Sequence, residues 1–424
     1  MPSRVFYLNG IPMNYSYLVK VIFVMMSVYL LIDSLNGFFV LGLGIDIKLS
    51  VFYKSILLVL LTVYLARYSP TSLVTVLGFF FLLMLGESKA IFMLDSSAEK
   101  LGFIVQHIVK LITPFVMLCF LYSHSTRDPE IYIRLKKIID VNCLFFILNI
   151  FAGVLGYGYS TYGDEVSATN IGIKGFFYAG NEISALLVLF SGFYMATSYT
   201  SSRLKFIIFA LLWCVVGALI STKTSILAVI CLAFLIPMIN DGKRLFALNN
   251  IASVVFYLVL TAIFVQSIII YENFQNTMMY GRLEYFYRNN GILGIILSSR
   301  DMFLLDMWEM FYQKASIFTL LFGNGVSYYA DSIKYSVELD LPDIFFWHGI
   351  MGLLVVLTIF ASMTYFSVVN LRDKHYPFAG LVLLTNILLF FIANLSGHIF
   401  TSGMLSFMWP CFAIMARYRT PDET

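Results

Sequence analysis

Long apolar runs recur from end to end of this chain, broken only by short polar turns, and they limit its folding more than any other feature. Roughly 20 apolar residues in helical form cross a hydrocarbon layer about 30 Å thick. Inside that layer only a helix or a closed barrel satisfies every backbone N–H and C=O. The runs are continuous, where a β-barrel would alternate, so helices are expected. Composition agrees: of 424 residues 60% are hydrophobic and 12% charged, against about 25% charged in a soluble domain, and the mean hydropathy is +0.86. The expected fold is an all-α integral membrane protein, one polytopic domain over residues 1–424 with about twelve transmembrane helices.

Spans are expected near 17–31, 51–66, 71–85, 101–122, 138–155, 182–199, 205–220, 225–239, 251–271, 343–366, 378–396 and 403–416. The apolar stretch 38–45 is too short to cross and is interrupted by glycine. Lys and Arg collect in the cytoplasmic loops of membrane proteins. With the N-terminus inside, Arg4, Lys20, Arg67, Arg127, Arg134, Lys136, Lys137, Arg203, Lys205, Lys243, Arg244, Arg372, Lys374, Arg417 and Arg419 all fall at cytoplasmic ends. The short outer loops hold only Lys48, Lys89, Lys100, Lys174 and Lys223, so both termini are expected in the cytoplasm. No small-residue cleavage site follows the first apolar run, which reads as a retained helix. Two outer segments exceed what a connection needs: the polar, Gly- and Tyr-bearing stretch 156–180, and a large loop over 272–342 between the ninth and tenth spans. Long ordered loops tend to carry function, which places the work on the outer face.

Several function classes drop out. The net charge of +3 is small and dispersed, so no nucleic-acid partner is expected. Cys119, Cys143, Cys214, Cys231 and Cys411 lie in apolar segments without zinc or redox spacing and read as small core residues. The sequence has no P-loop, HExxH, GxSxG or dinucleotide fingerprint, and its histidines share no ligand-like spacing. Neither a metal nor a cofactor is expected.

The remaining chemistry lies in outer-face charges beside helix starts. Ser221-Thr222-Lys223-Thr224-Ser225 is a hydroxyl-rich turn opening the eighth span, and free N–H groups with a lysine in the same turn make an anion site. Alternatively, Lys223 snorkels to the interface. Ser298-Ser299-Arg300-Asp301 precedes a run from Met302 to Phe311 that reads as an interfacial helix. Arg300 at its start suits bidentate phosphate contact, or pairs with Asp301 or Asp306. Arg282 and Arg288 add positive charge, to hold phosphates or to pair with Glu284.

Among the acids of Glu338-Leu339-Asp340-Leu341-Pro342-Asp343, Asp340 and Asp343 can cap the tenth span, and one of the three can act as general base toward a sugar hydroxyl. His398, at the outer end of the eleventh span, is a second base candidate. Asn181 reads as the N-cap of the sixth span, with Glu182 favoured by the helix dipole. His348 reads as packed and His107 as mid-span, while Gly323-Asn324-Gly325 reads as a turn.

In this order of features the chain resembles the bacterial Wzy-type O-antigen polymerases and their relatives, the O-antigen ligases. The resemblance runs from Gly180-Asn181-Glu182 and the Ser221–Thr224 turn, through Ser299-Arg300 and Phe322-Gly323-Asn324-Gly325, to Glu338–Phe346 and Gly349-Ile350-Met351-Gly352. It implies a metal-independent glycosyltransferase of lipopolysaccharide biosynthesis in the cell inner membrane. Undecaprenyl-diphosphate-linked oligosaccharide is then the donor, handled at the periplasmic face, and a separate chain-length regulator is a partner. Preorganised cations stabilise a departing diphosphate, a role that falls to Lys223 and Arg300, then Arg282 and Arg288. Glu338 and Asp340 lead as base.

Relatives more often carry arginine where this chain has Lys223, which gives up bidentate geometry. Ligases typically carry a histidine in the segment before the tenth span; residues 338–343 have none, which favours polymerase. A lipid-linked oligosaccharide flippase is the alternative from another class. Transporters place charge near the bilayer midplane, and here Lys54 and Lys110 are the main charges within spans.

Overall fold

The computed structural model describes residues 5–8, 11–93, 98–128, 130–162, 171–177, 180–241, 278–298, 300–329 and 336–420. Among these, eight helices are long and apolar enough to cross a membrane: Leu49–Tyr68, Pro70–Ser88, Leu101–Ser125, Ile131–Val154, Gly180–Ser201, Arg203–Ile220, Lys223–Asn240 and Asp340–Val369. A ninth is counted if the bent pair Tyr17–Ser27 and Tyr29–Leu43 forms one span. The last two expected spans are shorter apolar helices, Ala379–Leu395 and Leu405–Arg417. The span expected at 251–271 lies outside the described residues.

The helical expectation is met, with two small additions. Val5–Leu8 pairs antiparallel with Ile11–Asn14, and Tyr159–Tyr162 with Ile171–Gly175. The second hairpin falls in the polar segment 156–180, where Tyr, Thr and Ile favour extended backbone. Asn149 docks it to the bundle: its Oδ1 accepts from Phe176 N at 2.9 Å and its Nδ2 donates to Lys174 O at 2.8 Å.

The first expected span, 17–31, is in fact two helices bent by 52°. The bend leaves backbone groups without helical partners, and buried Asn142 supplies them. Its Oδ1 accepts from Leu30 N at 3.0 Å, and its Nδ2 donates to Met26 O at 2.9 Å. The second of these helices carries the chain through the stretch 38–45 and ends at Gly44, in the left-handed region at φ 68°.

Helix Gly180–Ser201 occupies the centre, with every residue from Ile183 to Phe193 buried. Around it pack Arg203–Ile220, Lys223–Asp241, Ala379–Leu395 and Leu405–Ala413. Polar anchors cross this core: Trp409 Nε1 donates to Asn386 Oδ1 at 2.7 Å, and Tyr194 donates to Asp140 at 2.6 Å.

The stretch 272–342 contains, among its described residues, the helices Met278–Leu297, Arg300–Gln313 and Ile317–Phe322 and a short 3-10 turn at Val326–Tyr329. Helix Arg300–Gln313 buries Met307 and Phe311 and exposes Leu305, Trp308 and Tyr312.

Helix Asp340–Val369 begins earlier than expected, and its 30 residues would span about 45 Å, more than a hydrocarbon core needs. It breaks at Gly349 (φ 62°, ψ −158°). The break frees two carbonyls, and the turn at Gly323-Asn324-Gly325 takes them up: Asn324 N donates to Phe346 O at 3.1 Å and Gly325 N to Trp347 O at 2.9 Å. Buried Glu87 accepts from Val326 N at 2.7 Å on the other side of the turn. A Cβ on Gly349 would lie 2.5 Å from the Leu321 carbonyl carbon and oxygen. Gly349→Ala is therefore expected to destabilise the protein by about 2 kcal/mol or more, from a left-handed φ and a backbone collision. A lower thermal unfolding midpoint in detergent would show it; an unchanged midpoint would mean the break is not fixed as described.

Candidate functional site

The site is built from four chain segments far apart in sequence. The first is the turn at 221–225. Ser221 closes helix Arg203–Ile220 in the left-handed region at φ 58°. Thr222 then caps the next helix: its Oγ1 accepts from Ser225 N at 2.9 Å, while Ser225 Oγ accepts from Thr222 N at 3.2 Å. This is the reciprocal capping box expected of a hydroxyl-rich helix start. Thr222 also meets Ser184 on the central helix, with 2.7 Å between the hydroxyls. From that fixed turn Lys223 reaches across, donating to Ser298 Oγ at 3.0 Å and to Ile295 O, with its ammonium 5.0 Å from the centre of the Phe286 ring. Lys223 thus grips the C-terminal end of helix Met278–Leu297, where a cation complements the exposed carbonyls.

Ser298, at φ 55°, turns the chain into helix Arg300–Gln313. Arg300 is the second component, with only 12% of its side chain exposed. Its Nη2 donates to Glu338 Oε2 at 2.8 Å, and its Nη1 lies near Leu297 O and Leu395 O at 3.3 and 3.4 Å. The arginine's ion pair is with Glu338, not with the nearby Asp301 or Asp306 that sequence proximity suggests. Arg300 Nε is a buried donor with no acceptor.

The third component is Glu338. Its backbone is held at φ 64° by two acceptors, Ser336 Oγ and Asp343 Oδ2, both 3.0 Å from its N–H. Asp343 also accepts from Val337 N at 2.6 Å and Ser336 Oγ at 2.7 Å. Asp340, one helical turn earlier, accepts from His398 N at 2.5 Å, Ile399 N at 2.7 Å and Phe400 N at 2.8 Å. Both aspartates are buried with their oxygens committed to backbone donors. Asp340 was a leading base candidate; here it and Asp343 serve as positioning residues, because a carboxylate saturated by amides has little lone-pair capacity left for a substrate proton.

The fourth component is the segment 396–404. His398 sits at φ 62° beside Gly397, whose Cβ, if present, would lie 2.4 Å from Glu338 O. That contact lays the His398 loop directly on the Glu338 loop. Asn181 donates to Ser396 O at 2.7 Å, and Glu182 Oε2 accepts from Ser402 Oγ at 2.7 Å and Met404 N at 3.0 Å. Asn181 was expected to cap its own helix; instead both side chains reach out to hold this loop, since that helix already begins at Gly180.

The cluster thus pairs Arg300 with Glu338 and lays the His398 loop on the Glu338 loop, while Lys223 is joined to it through Ser298, two residues before Arg300. Arg288 is not part of it: it is exposed and pairs with Glu284 one turn away at 2.5 Å. Arg282 lies in helix Met278–Leu297, with its side chain outside the described residues, as is Ser299. His348 and His107 pack against each other, with rings 5.9 Å apart. Among the described residues, no group of three or more His, Cys, Asp or Glu could hold a metal ion.

Sequence reasoning placed Ser298 before a helix start and Gly397 beside His398 without giving either a backbone role, and it missed Ser336; all three set backbone geometry. Their only signal is small size within two residues of Arg300, His398 or Glu338. Five non-glycine residues have positive φ among those described, and four of them, Ser221, Ser298, Glu338 and His398, border this cluster. Such conformations cost about 1–2 kcal/mol each and concentrate where function requires them.

No protein-family model matches the chain, and no curated protein matches it.

The aspartates and Glu338 should respond differently to mutation. Asp340→Ala leaves three buried amides without an acceptor and is expected to cost about 3 kcal/mol or more in stability. Glu338→Gln keeps a hydrogen-bonding group on Arg300 and removes only the charge of a carboxylate that is 29% exposed, so it should cost less, about 1–2 kcal/mol. Equal effects on thermal unfolding would contradict the division into positioning and presented carboxylates.

Proposed function

We propose that this protein is a surface-polysaccharide polymerase of the O-antigen type, joining undecaprenyl-diphosphate-linked oligosaccharide units by glycosyl transfer. The observation that carries the reading is Arg300, paired with Glu338 but with its Nε still lacking an acceptor, at a helix start whose preceding turn is held by Lys223 through Ser298. A diphosphate supplies the acceptors such a fork lacks, and arginine binds it through parallel N–H bonds. On this account the diphosphate takes the place of Glu338 on Arg300 and releases the carboxylate.

The chemistry then balances without further reagents. An acceptor sugar hydroxyl attacks the anomeric carbon of the donor, and a new C–O bond forms. The bond from that carbon to the diphosphate oxygen breaks, with its electron pair going to the leaving group. Lys223 and Arg300 stabilise the negative charge that develops there, as preorganised cations in a dry site do most effectively. The hydroxyl proton passes to Glu338, freed of its ion pair, with the His398 imidazole on the adjoining loop as the other acceptor within the cluster. The products are a longer lipid-linked glycan and undecaprenyl diphosphate.

The proposal extends to topology: twelve spans, both termini cytoplasmic, and the cluster on the periplasmic side of a bacterial inner membrane, working beside a chain-length regulator. The basic residues expected at the cytoplasmic ends of the spans support this orientation. One observation also favours an O-antigen ligase that transfers glycan to lipid A-core. Residues 338–343 lack histidine, but Asp340 holds His398 on the same cluster from a different segment.

A lipopolysaccharide gel from the source bacterium with this gene deleted separates the readings. Core plus one repeat unit, with no ladder, is the expected result. Core alone would overturn the polymerase reading; lipid-linked polymer accumulating would then indicate the ligase, and single units trapped inside would indicate a flippase. In the complemented strain, Lys223→Ala and Arg300→Ala are each expected to abolish the ladder at normal membrane abundance. Each removes charge-assisted bonds worth about 1.5–3 kcal/mol apiece in the ground state and more in the transition state. A normal ladder in either variant would remove that residue from the diphosphate site.

A further inference from the structure

Below the segment 396–404 lies a cavity of about 640 Å³ that the cluster above does not use. Asp33, Lys54, Lys110, Glu182 and Gly403 are among the residues that line it. Lys54 and Lys110 project from two spanning helices, Leu49–Tyr68 and Leu101–Ser125. A Cβ on Gly403 would stand 3.4 Å from Lys54 Nζ and 3.9 Å from Lys110 Cε, so both lysine arms converge on a wall kept open by glycine.

The charges there are unequally satisfied. Asp33 pairs with Lys54 at 2.7 Å and also accepts from Ser50. Glu182 is engaged by Ser402 and Met404. Lys110 has no hydrogen-bond or ion-pair partner among the described residues. A cation within a spanning segment is costly unless an anion or water-filled space meets it. The cavity opens sideways: Ser55, Gly102, Val105 and Gln106, all exposed residues of the same two helices, form its rim. An opening between spanning helices admits a molecule that already lies in the bilayer.

We infer that this cavity binds the phosphate of a membrane lipid, received by Lys110 with Lys54 beside it, while the apolar tail remains between helices Leu49–Tyr68 and Leu101–Ser125. The inference stands on the cavity's own charges and opening and does not require the glycosyl-transfer reading. If both hold, the segment 396–404 is a shared wall: Gly397 lies against Glu338 on one side, and Gly403 and Met404 line the lipid cavity on the other. Two phosphate-bearing lipids would then lie on either side of one loop.

The test uses the full chain in dodecyl maltoside micelles, which carry no phosphate, with farnesyl phosphate as the probe and inorganic phosphate as its tail-free counterpart. Binding is measured in a Lys223→Ala/Arg300→Ala background, so that the upper cluster contributes nothing. Farnesyl phosphate is expected to bind saturably there. Lys110→Ala should weaken it at least about tenfold, the loss of one charge-assisted contact, and Lys110→Arg should stay within about threefold of the parent. Gly102→Trp keeps both lysines and fills open space at the rim, so it should weaken binding even if Lys110→Ala fails to insert. No saturable binding, or equal affinity in Gly102→Trp or an inserted Lys110→Ala, would overturn the inference. Inorganic phosphate binding as tightly as farnesyl phosphate would overturn the lipid as its source.

Discussion

Two carboxylates at the start of one helix fix the geometry on which the candidate site depends. Asp340 and Asp343 point into two different chain segments, and each satisfies backbone N–H groups that would otherwise be buried without partners. Asp343 sets the loop bearing Glu338, and Asp340 sets the loop bearing His398. A buried carboxylate is expensive unless its lone pairs are filled, and a buried amide is expensive unless it is accepted. Here each cost is met by the other, so loops without regular structure become as well placed as helix ends.

The same logic explains why helix Asp340–Val369 is broken. The break at Gly349 divides the helix and exposes two carbonyls that fasten the turn at Gly323–Gly325. That turn is gripped from the other side by Glu87. Left-handed backbone at Ser221, Ser298, Glu338 and His398 is the local cost of bringing four segments to one place, and the aspartate clamps, the Thr222–Ser225 capping box and the Asn181 contact offset it.

Much of the helical plan was legible because lipid imposes a simple rule on sequence: apolar runs of spanning length become helices. The rule failed where polar side chains override it. Asn142 allows a bend within the expected first span, and no hydropathy pattern announces a buried asparagine that serves both sides of a break. The hydroxyl-rich cap was readable from local chemistry, since Thr222 and Ser225 lie three residues apart, but the partners of Lys223, Ile295 and Ser298, lie more than 70 positions away. Arg300 was readable as a cation at a helix start, but its partner was not: Glu338 is 38 positions away, while Asp301 and Asp306 lie close by. Asn181 and Glu182 looked like a cap for the same reason, and their actual roles depend on residues more than 200 positions later. Sequence places charges; only packing decides which charges meet.

The central claim is that the cations and Glu338 carry out glycosyl transfer from a lipid diphosphate. The most direct measurement is made on purified protein in lipid, given one defined undecaprenyl-diphosphate-linked repeat unit and no other component. The account predicts lipid-linked products of two and more units, one undecaprenyl diphosphate released per bond formed, and neither in the Arg300→Ala protein. A repeat unit recovered unchanged from the native protein, under conditions where the protein remains folded, would contradict it.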